Sequence, residues 1–237
     1  RDNLADLTER HTGEASRAAK DNALFSDILT LAAYSPLLAT TILQNPSYLT
    51  WLARERTDIR IRSKEDLLES LARFSLMHTQ LGPHDLLARF RRRELLRIYL
   101  RDIRGLATIT EITEELSNLA DAVLEFALRL AVQEMDNRFG SPQEPDENGR
   151  LRLATFCIVA LGKLGSKELN YASDIDLLFL YSAEGRTSGS GTRGAFTNRE
   201  YFIKLAEQIV KTVGRQSGEG AAYRIDLRLR PHGSIGA

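Results

Sequence analysis

Gly165-Ser166, followed by Ser173-Asp174-Ile175-Asp176-Leu177-Leu178-Phe179, is the stretch on which the fold of this chain turns. Its second part alternates polar and apolar residues with period two, the pattern of a half-buried strand. Asp174 and Asp176 then share one face, while Ile175 and Leu177 point the other way. Carboxylates two residues apart on a strand lie roughly 6–7 Å from each other along the backbone, near enough to lean onto one cation. Further on, Tyr223-Arg224-Ile225-Asp226-Leu227-Arg228-Leu229-Arg230-Pro231 alternates in the same way, with Arg224, Asp226, Arg228 and Arg230 on one face. If the two strands pair, Asp226 becomes a third ligand beside Asp174 and Asp176. Three carboxylates make an oxygen-rich site of the magnesium type, with a Gly-Ser turn nearby for phosphate.

Aspartate is disfavoured in strands, so two of them backed by Ile, Leu, Leu and Phe ask for a reason beyond solvent exposure. A calcium loop of the EF-hand kind is excluded, because apolar residues fill its intervening positions. Gly162-Lys163-Leu164-Gly165-Ser166-Lys167 lacks the spacing of a phosphate-loop lysine motif. What remains is a strand-to-helix turn whose backbone N–H groups and Ser166 hydroxyl can hold a phosphate oxyanion. For the arginines of the last strand two readings stay open: neutralisation along an edge, or phosphate recognition by guanidinium forks.

Outward from these motifs the texture divides. Residues 1–139 carry few glycines, and apolar residues recur at helical spacing, as in Leu24, Ile28 and Leu31 and again in Leu67, Leu71 and Phe74. Pro36, Pro46 and Gly82-Pro83 punctuate this region. Long helices are predicted over 85–101 and 112–139. The first carries Arg93, Arg97, Arg101 and Arg104 on one stripe, read as a solvated self-paired face or, less simply, as a wall of the active site. Residues 140–150, rich in Gly, Pro and acidic residues, read as a linker. A strand is expected over 151–161, then the Gly-rich turn, the acidic strand to Tyr181, a mobile loop over 182–197, a helix capped by Asn198 and running to about Val213, and the arginine strand. The expected fold class is α+β: a helical domain over 1–139, then a small mixed sheet with one helix over 151–237.

The chain has 237 residues, 43% of them hydrophobic, ample for a buried core. Lys plus Arg and Asp plus Glu balance at 32 each, which argues against a nucleic-acid binder. The one cysteine, Cys157, excludes an internal disulfide and suggests a reducing compartment. No stretch approaches the ~20 apolar residues of a membrane-spanning helix. The four histidines, His11, His78, His84 and His232, show no zinc spacing. Opening on Arg1 and ending soon after the last strand, the chain reads as a fragment of something longer, truncated within its catalytic domain.

Leu161-Gly-Lys-Leu-Gly-Ser-Lys-Glu-Leu-Asn170-Tyr-Ala-Ser-Asp-Ile-Asp176, Tyr223-Arg-Ile-Asp-Leu-Arg-Leu-Arg-Pro231 and Phe90-Arg-Arg-Arg-Glu-Leu-Leu-Arg97 together resemble the bifunctional glutamine synthetase adenylyltransferase/adenylyl-removing enzymes, within the nucleotidyltransferase superfamily of DNA polymerase β. The resemblance implies a polymerase β-like catalytic domain over 151–237 in a cytoplasmic, multifunctional enzyme of nitrogen metabolism. It implies Asp174, Asp176 and Asp226 as catalytic magnesium ligands, and Gly165, Ser166, Lys163, Arg228 and Arg230 as phosphate- and nucleotide-binding residues. Glu168-Leu169-Asn170 and Tyr223-Arg224-Ile225-Asp226 resemble the adenylyl-removing half, which implies phosphorolysis of AMP from a tyrosine of glutamine synthetase with release of ADP. ATP-dependent adenylylation, or a non-catalytic module that binds the PII signalling protein, are the alternatives. Glutamine synthetase, nucleotide, phosphate and a PII protein are the implied partners.

Overall fold

A computed structural model describes residues 21–218 and 220–227. Among the described residues six helices come first: α1 (Asn22–Tyr34), α2 (Pro36–Gln44), α3 (Ser47–Glu55), α4 (Lys64–Met77), α5 (Pro83–Ile103) and α6 (Ile109–Phe139). Their starts are written in local chemistry. Ser63 and Thr108 each accept the N–H three residues on, while Asp66 and Glu111 reach back to the cap N–H, which satisfies orphan donors at both ends of the box. Pro36 and Pro83 sit at the first helical position, where no N–H is needed. Among the described residues no helix is long and apolar enough to cross a membrane.

After α6 the chain forms β1 (Pro142–Pro145), β2 (Leu151–Leu153), β3 (Phe156–Leu161), the single helical turn α7 (Gly162–Gly165), β4 (Ile175–Tyr181), β5 (Arg186–Thr187), α8 (Asn198–Gly214) and β6 (Ile225–Asp226). Strands β3, β4 and β6 make a mixed sheet in that order, β3 antiparallel to β4 and β6 parallel to it. The fold is α+β, as expected.

Several local expectations change. The segment read as a linker contains β1, which centres a second, antiparallel sheet of order β2-β1-β5, so β5 also interrupts the loop expected over 182–197. The strand expected over 151–161 breaks at Ala154-Thr155 into β2 and β3, which belong to different sheets. Thr197, not Asn198, caps α8, in a third box closed by Glu200. Asn198 is buried and donates from Nδ2 to the carbonyls of Gln143 (2.9 Å) and Ala183 (3.1 Å), tying the helix to β1.

Most of the arginine stripe on α5 is buried rather than solvated. Arg93, Arg97 and Arg101 are buried, and Arg97 and Arg101 both bond the buried Glu115 of α6. Arg93 donates to Glu94 at 2.7 Å and stacks over Trp51 and Phe74. Arg104, the more exposed end of the stripe, pairs with Asp27 at 3.3 Å. One apolar core runs through both parts of the chain, from Leu24 through Leu119 and Val123 to Ile175, Leu205 and Tyr223.

Candidate active site

The parallel pairing of β4 with β6 decides the site. Ile175 lies opposite Ile225 and Asp176 opposite Asp226. Paired residues of neighbouring strands project to the same face, so the Asp176 and Asp226 carboxylates share a side while Ile175 and Leu177 fill the core beneath. One rung earlier the Ile175 N–H donates to the Arg224 carbonyl at 2.9 Å. The Arg224 Nε donates to Asp174 Oδ1 at 2.5 Å across the same pair of strands. On this face the pairs therefore read Asp174 with Arg224, then Asp176 with Asp226, with the Ile175–Ile225 rung between them.

A glycine turn abuts this acid face. Leu161, the last residue of β3, lies opposite Asp176, and Gly162 follows with φ +54°. A Cβ on Gly162 would come within 2.6 Å of Asp176 Oδ2, so glycine is required both by the left-handed backbone and by the carboxylate. A Cβ on Gly165 would meet the Ala160 carbonyl at 2.6 Å; here glycine lets the turn fold back on β3. The Ser166, Lys167 and Glu168 N–H groups all turn inward, to the carbonyls of Gly162 (3.1 Å), Leu164 (3.1 Å) and Lys163 (2.7 Å). The exposed Ser166 hydroxyl lies 3.2 Å from Glu168 Oε2. That hydroxyl also lies 3.3 Å from the Gly162 and Lys163 carbonyls, so hydroxyl and N–H groups alike are engaged within the turn.

Residues distant in sequence hold the segment between turn and acid strand. Lys167 adopts φ +61°, rare for a side chain with a Cβ, and its Nζ donates to Asn118 (3.1 Å) and Asp121 (2.5 Å) of α6. The Leu169 N–H donates to Ser117 Oγ at 3.1 Å. The Tyr171 hydroxyl donates to Asp102 at 2.9 Å, and Arg91 of α5 donates to the Tyr171 carbonyl at 3.1 Å while covering the Tyr223 ring at 4.6 Å. Burial, then the bond to Asp102, pushes the Tyr171 phenol well above its ordinary range. Burial also raises Tyr223, against the nearby Arg91 charge. Asn170 closes the turn before Asp174 by accepting the Ser173 hydroxyl at 2.6 Å.

Of the residues singled out from sequence, Asp176 and Asp226 are brought together directly, and Gly165, Ser166 and the exposed Lys163 lie in the turn that follows β3. Arg228 and Arg230 lie outside the described residues. Among the described residues no three His, Cys, Asp or Glu side chains gather to hold an ion, and Asp174 engages Arg224. Carboxylate oxygens are nonetheless the hard donors a magnesium-class ion takes, and the Asp176–Asp226 rung faces the way such a site requires.

Asn118, Asp121 and Asp102 escaped the sequence reading, and Gly162 and Arg91 entered it only as parts of quoted motifs; the four that reach the segment from α5 and α6 do so across 46 to 80 residues of chain.

Residues 25–237 match the family model described as Glutamate-ammonia ligase adenylyltransferase. The chain is 34% identical over 203 residues to a bifunctional glutamine synthetase adenylyltransferase/adenylyl-removing enzyme of Nitrosococcus oceani, an alignment covering 85% of this chain and 20% of that protein. Relatives of the same name from Nitrosomonas europaea (32% over 223 residues; 93% of this chain, 22% of the relative) and Haemophilus ducreyi (32% over 238 residues; 100% and 22%) align equally far. The chain spans about a fifth of the length of these curated relatives. A match that takes in the glycine turn, both acid strands and all the helices packed against them leaves one reading of its kinship: the chain belongs to the glutamate-ammonia ligase adenylyltransferase family.

Proposed function

We propose that this chain is a nucleotidyltransferase unit that removes AMP from an adenylylated tyrosine of glutamine synthetase by phosphorolysis, releasing ADP, in the control of nitrogen assimilation. The observation that carries the reading is the Asp176–Asp226 rung of two parallel strands, pressed against the turn at Gly162. The printed name shared by the relatives, which couples an adenylyltransferase to an adenylyl-removing enzyme, supports it. The strings Glu168-Leu169-Asn170 and Tyr223-Arg224 favour removal over addition.

Asp174, Asp176 and Asp226 would hold magnesium, which when bound supplies positive charge to phosphoryl oxygens and keeps them in line for displacement. The chain's own groups orient the reactants. Ser166 and Lys163 would meet non-bridging oxygens of the AMP phosphorus, and Arg228 and Arg230 the incoming phosphate. An oxygen of inorganic phosphate forms a bond to the AMP phosphorus. The bond from phosphorus to the tyrosyl oxygen breaks, and that oxygen leaves with its electron pair and takes up a proton. The products are ADP and unmodified tyrosine. On this reading the chain works in the cytoplasm, and a PII-class signalling protein regulates the protein that carries it.

The test presents the intact protein with adenylylated glutamine synthetase plus phosphate, and separately with unmodified glutamine synthetase plus ATP. Phosphate-dependent ADP release is expected, lost on chelating divalent ions and reduced at least about a hundredfold by Asp176→Ala or Asp226→Ala. If both variants retain full ADP release, the site lies elsewhere; if they lose only AMP incorporation from ATP, the chain is the adding unit.

A further inference from the structure

Resting on that functional reading, we infer that Arg224 is a phosphate-binding residue of this site, held in reserve by Asp174 until the carboxylates take a divalent cation. Three features of these two pairs lead there.

The first is position. Arg224 precedes Asp226 by two residues on one strand, and Asp174 precedes Asp176 by two on the other. Strand alternation therefore puts the guanidinium on the acid face, next to the rung that would bind the cation.

The second is the weakness of the pair. The Arg224 and Asp174 side chains are 70% and 44% exposed. An ion pair so open to water contributes little to stability and exchanges readily. The contrast with α5 is informative: Arg97 and Arg101 are sealed against Glu115 and committed to the core. Arg224 engages Asp174 through its Nε–H, one of five donors in a planar fork that matches phosphate oxygens.

The third is charge. Carboxylates on this face repel a phosphate dianion, so an anionic nucleophile needs both neutralisation and a donor. The Arg224 bond takes one oxygen of Asp174, and a cation drawn to that carboxylate competes with the guanidinium for the same negative charge. Cation binding therefore frees the guanidinium next to the site where the attacking phosphate must arrive. The ion pair thus orders the two ligands, the cation first and phosphate after it.

The test is calorimetry on the intact protein with magnesium chloride alone, then with inorganic phosphate at saturating magnesium, Asp176→Ala serving as the control that removes this site. Arg224→Gln is expected to bind magnesium about two- to fivefold more tightly, having lost the competing cation. It is expected to bind phosphate about tenfold more weakly, with Arg224→Lys in between. A circular dichroism spectrum matching the wild type checks that this exposed substitution leaves the fold intact. Unchanged magnesium and phosphate affinities in Arg224→Gln, with Asp176→Ala still losing magnesium, would overturn the role of Arg224 and leave the functional reading standing. Tighter magnesium with unchanged phosphate affinity would reduce Arg224 to a counter-ion and also overturn it. If Asp176→Ala binds magnesium as well as the wild type, the functional reading falls and this inference with it.

Discussion

At Gly162 two requirements meet in one residue. Its φ of +54° disfavours any side chain, and the space a Cβ would fill already holds the Asp176 carboxylate, 2.6 Å away. Gly162→Ala should therefore act on both: strain of about 1–2 kcal/mol from the left-handed backbone, and displacement of Asp176 from its rung. The expected outcome is a modest drop in melting temperature with a far larger loss of magnesium affinity, read by thermal denaturation and calorimetry on the same sample. A variant that melts lower but binds magnesium normally would show the turn to be structural only. The alternation of Asp174, Ile175 and Asp176 was legible in sequence because period-two patterning is local. That Asp174 turns to Arg224 was not, since a strand pattern assigns a face and leaves the partner on that face open.

Among the elements, α5 departs most from its sequence reading. A run of arginines at helical spacing ordinarily marks a solvated face, yet here it is the face that packs on α6, because Glu115 of that helix supplies a buried counter-charge to Arg97 and Arg101 and also accepts the Arg62 N–H. Arg62 in turn bonds Glu55 and Glu94, so the charges balance inside the helical part rather than at its surface. Removing one partner of a buried pair costs more than the pair contributes, since it strands a charge in low dielectric. Glu115→Ala should therefore destabilise by about 3–5 kcal/mol, seen as a lower urea midpoint at unchanged slope; a shift under about 0.5 kcal/mol, the range of ordinary surface substitutions, would mean that water reaches these arginines. Helix starts carry a local signal instead: a Ser or Thr followed three residues on by an acid closes a box within one turn, as at Ser63, Thr108 and Thr197, although the sequence reading began α6 at 112 and gave the cap of α8 to Asn198. The strand at Pro142–Pro145 was hidden by its composition: prolines and acids read as a linker, and only pairing with β2 and β5 makes it a strand.

Across the whole molecule, phenols tie α5 to the segment before β4 and α8 to α6. Tyr171 donates to Asp102 of α5, and Tyr201 of α8 donates to Asp136 of α6 at 2.6 Å. Burial first, and the carboxylate partner second, raises both phenols far above their ordinary value. The sign follows from proton counting: above about pH 10 the unfolded chain has released these protons while the folded one retains them, so stability falls as pH rises through that value. Urea midpoints measured from pH 8 to 11 should stay level and then decline, and Tyr171→Phe with Tyr201→Phe should flatten the decline. An equally steep decline in the double variant would assign the alkaline limb to other groups. The helices, the α+β class, the acid strand and the glycine turn were set by the sequence alone, because each rests on periodicity or capping within a few residues. The parallel register that brings Asp226 to Asp176, the capture of Asp174 by Arg224, the burial of the α5 arginines and the grip of α6 on Lys167 were decided only by the tertiary structure. Each of these joins groups far apart along the chain, and only packing of the shared core settles which of many compatible partners ends up within bonding distance.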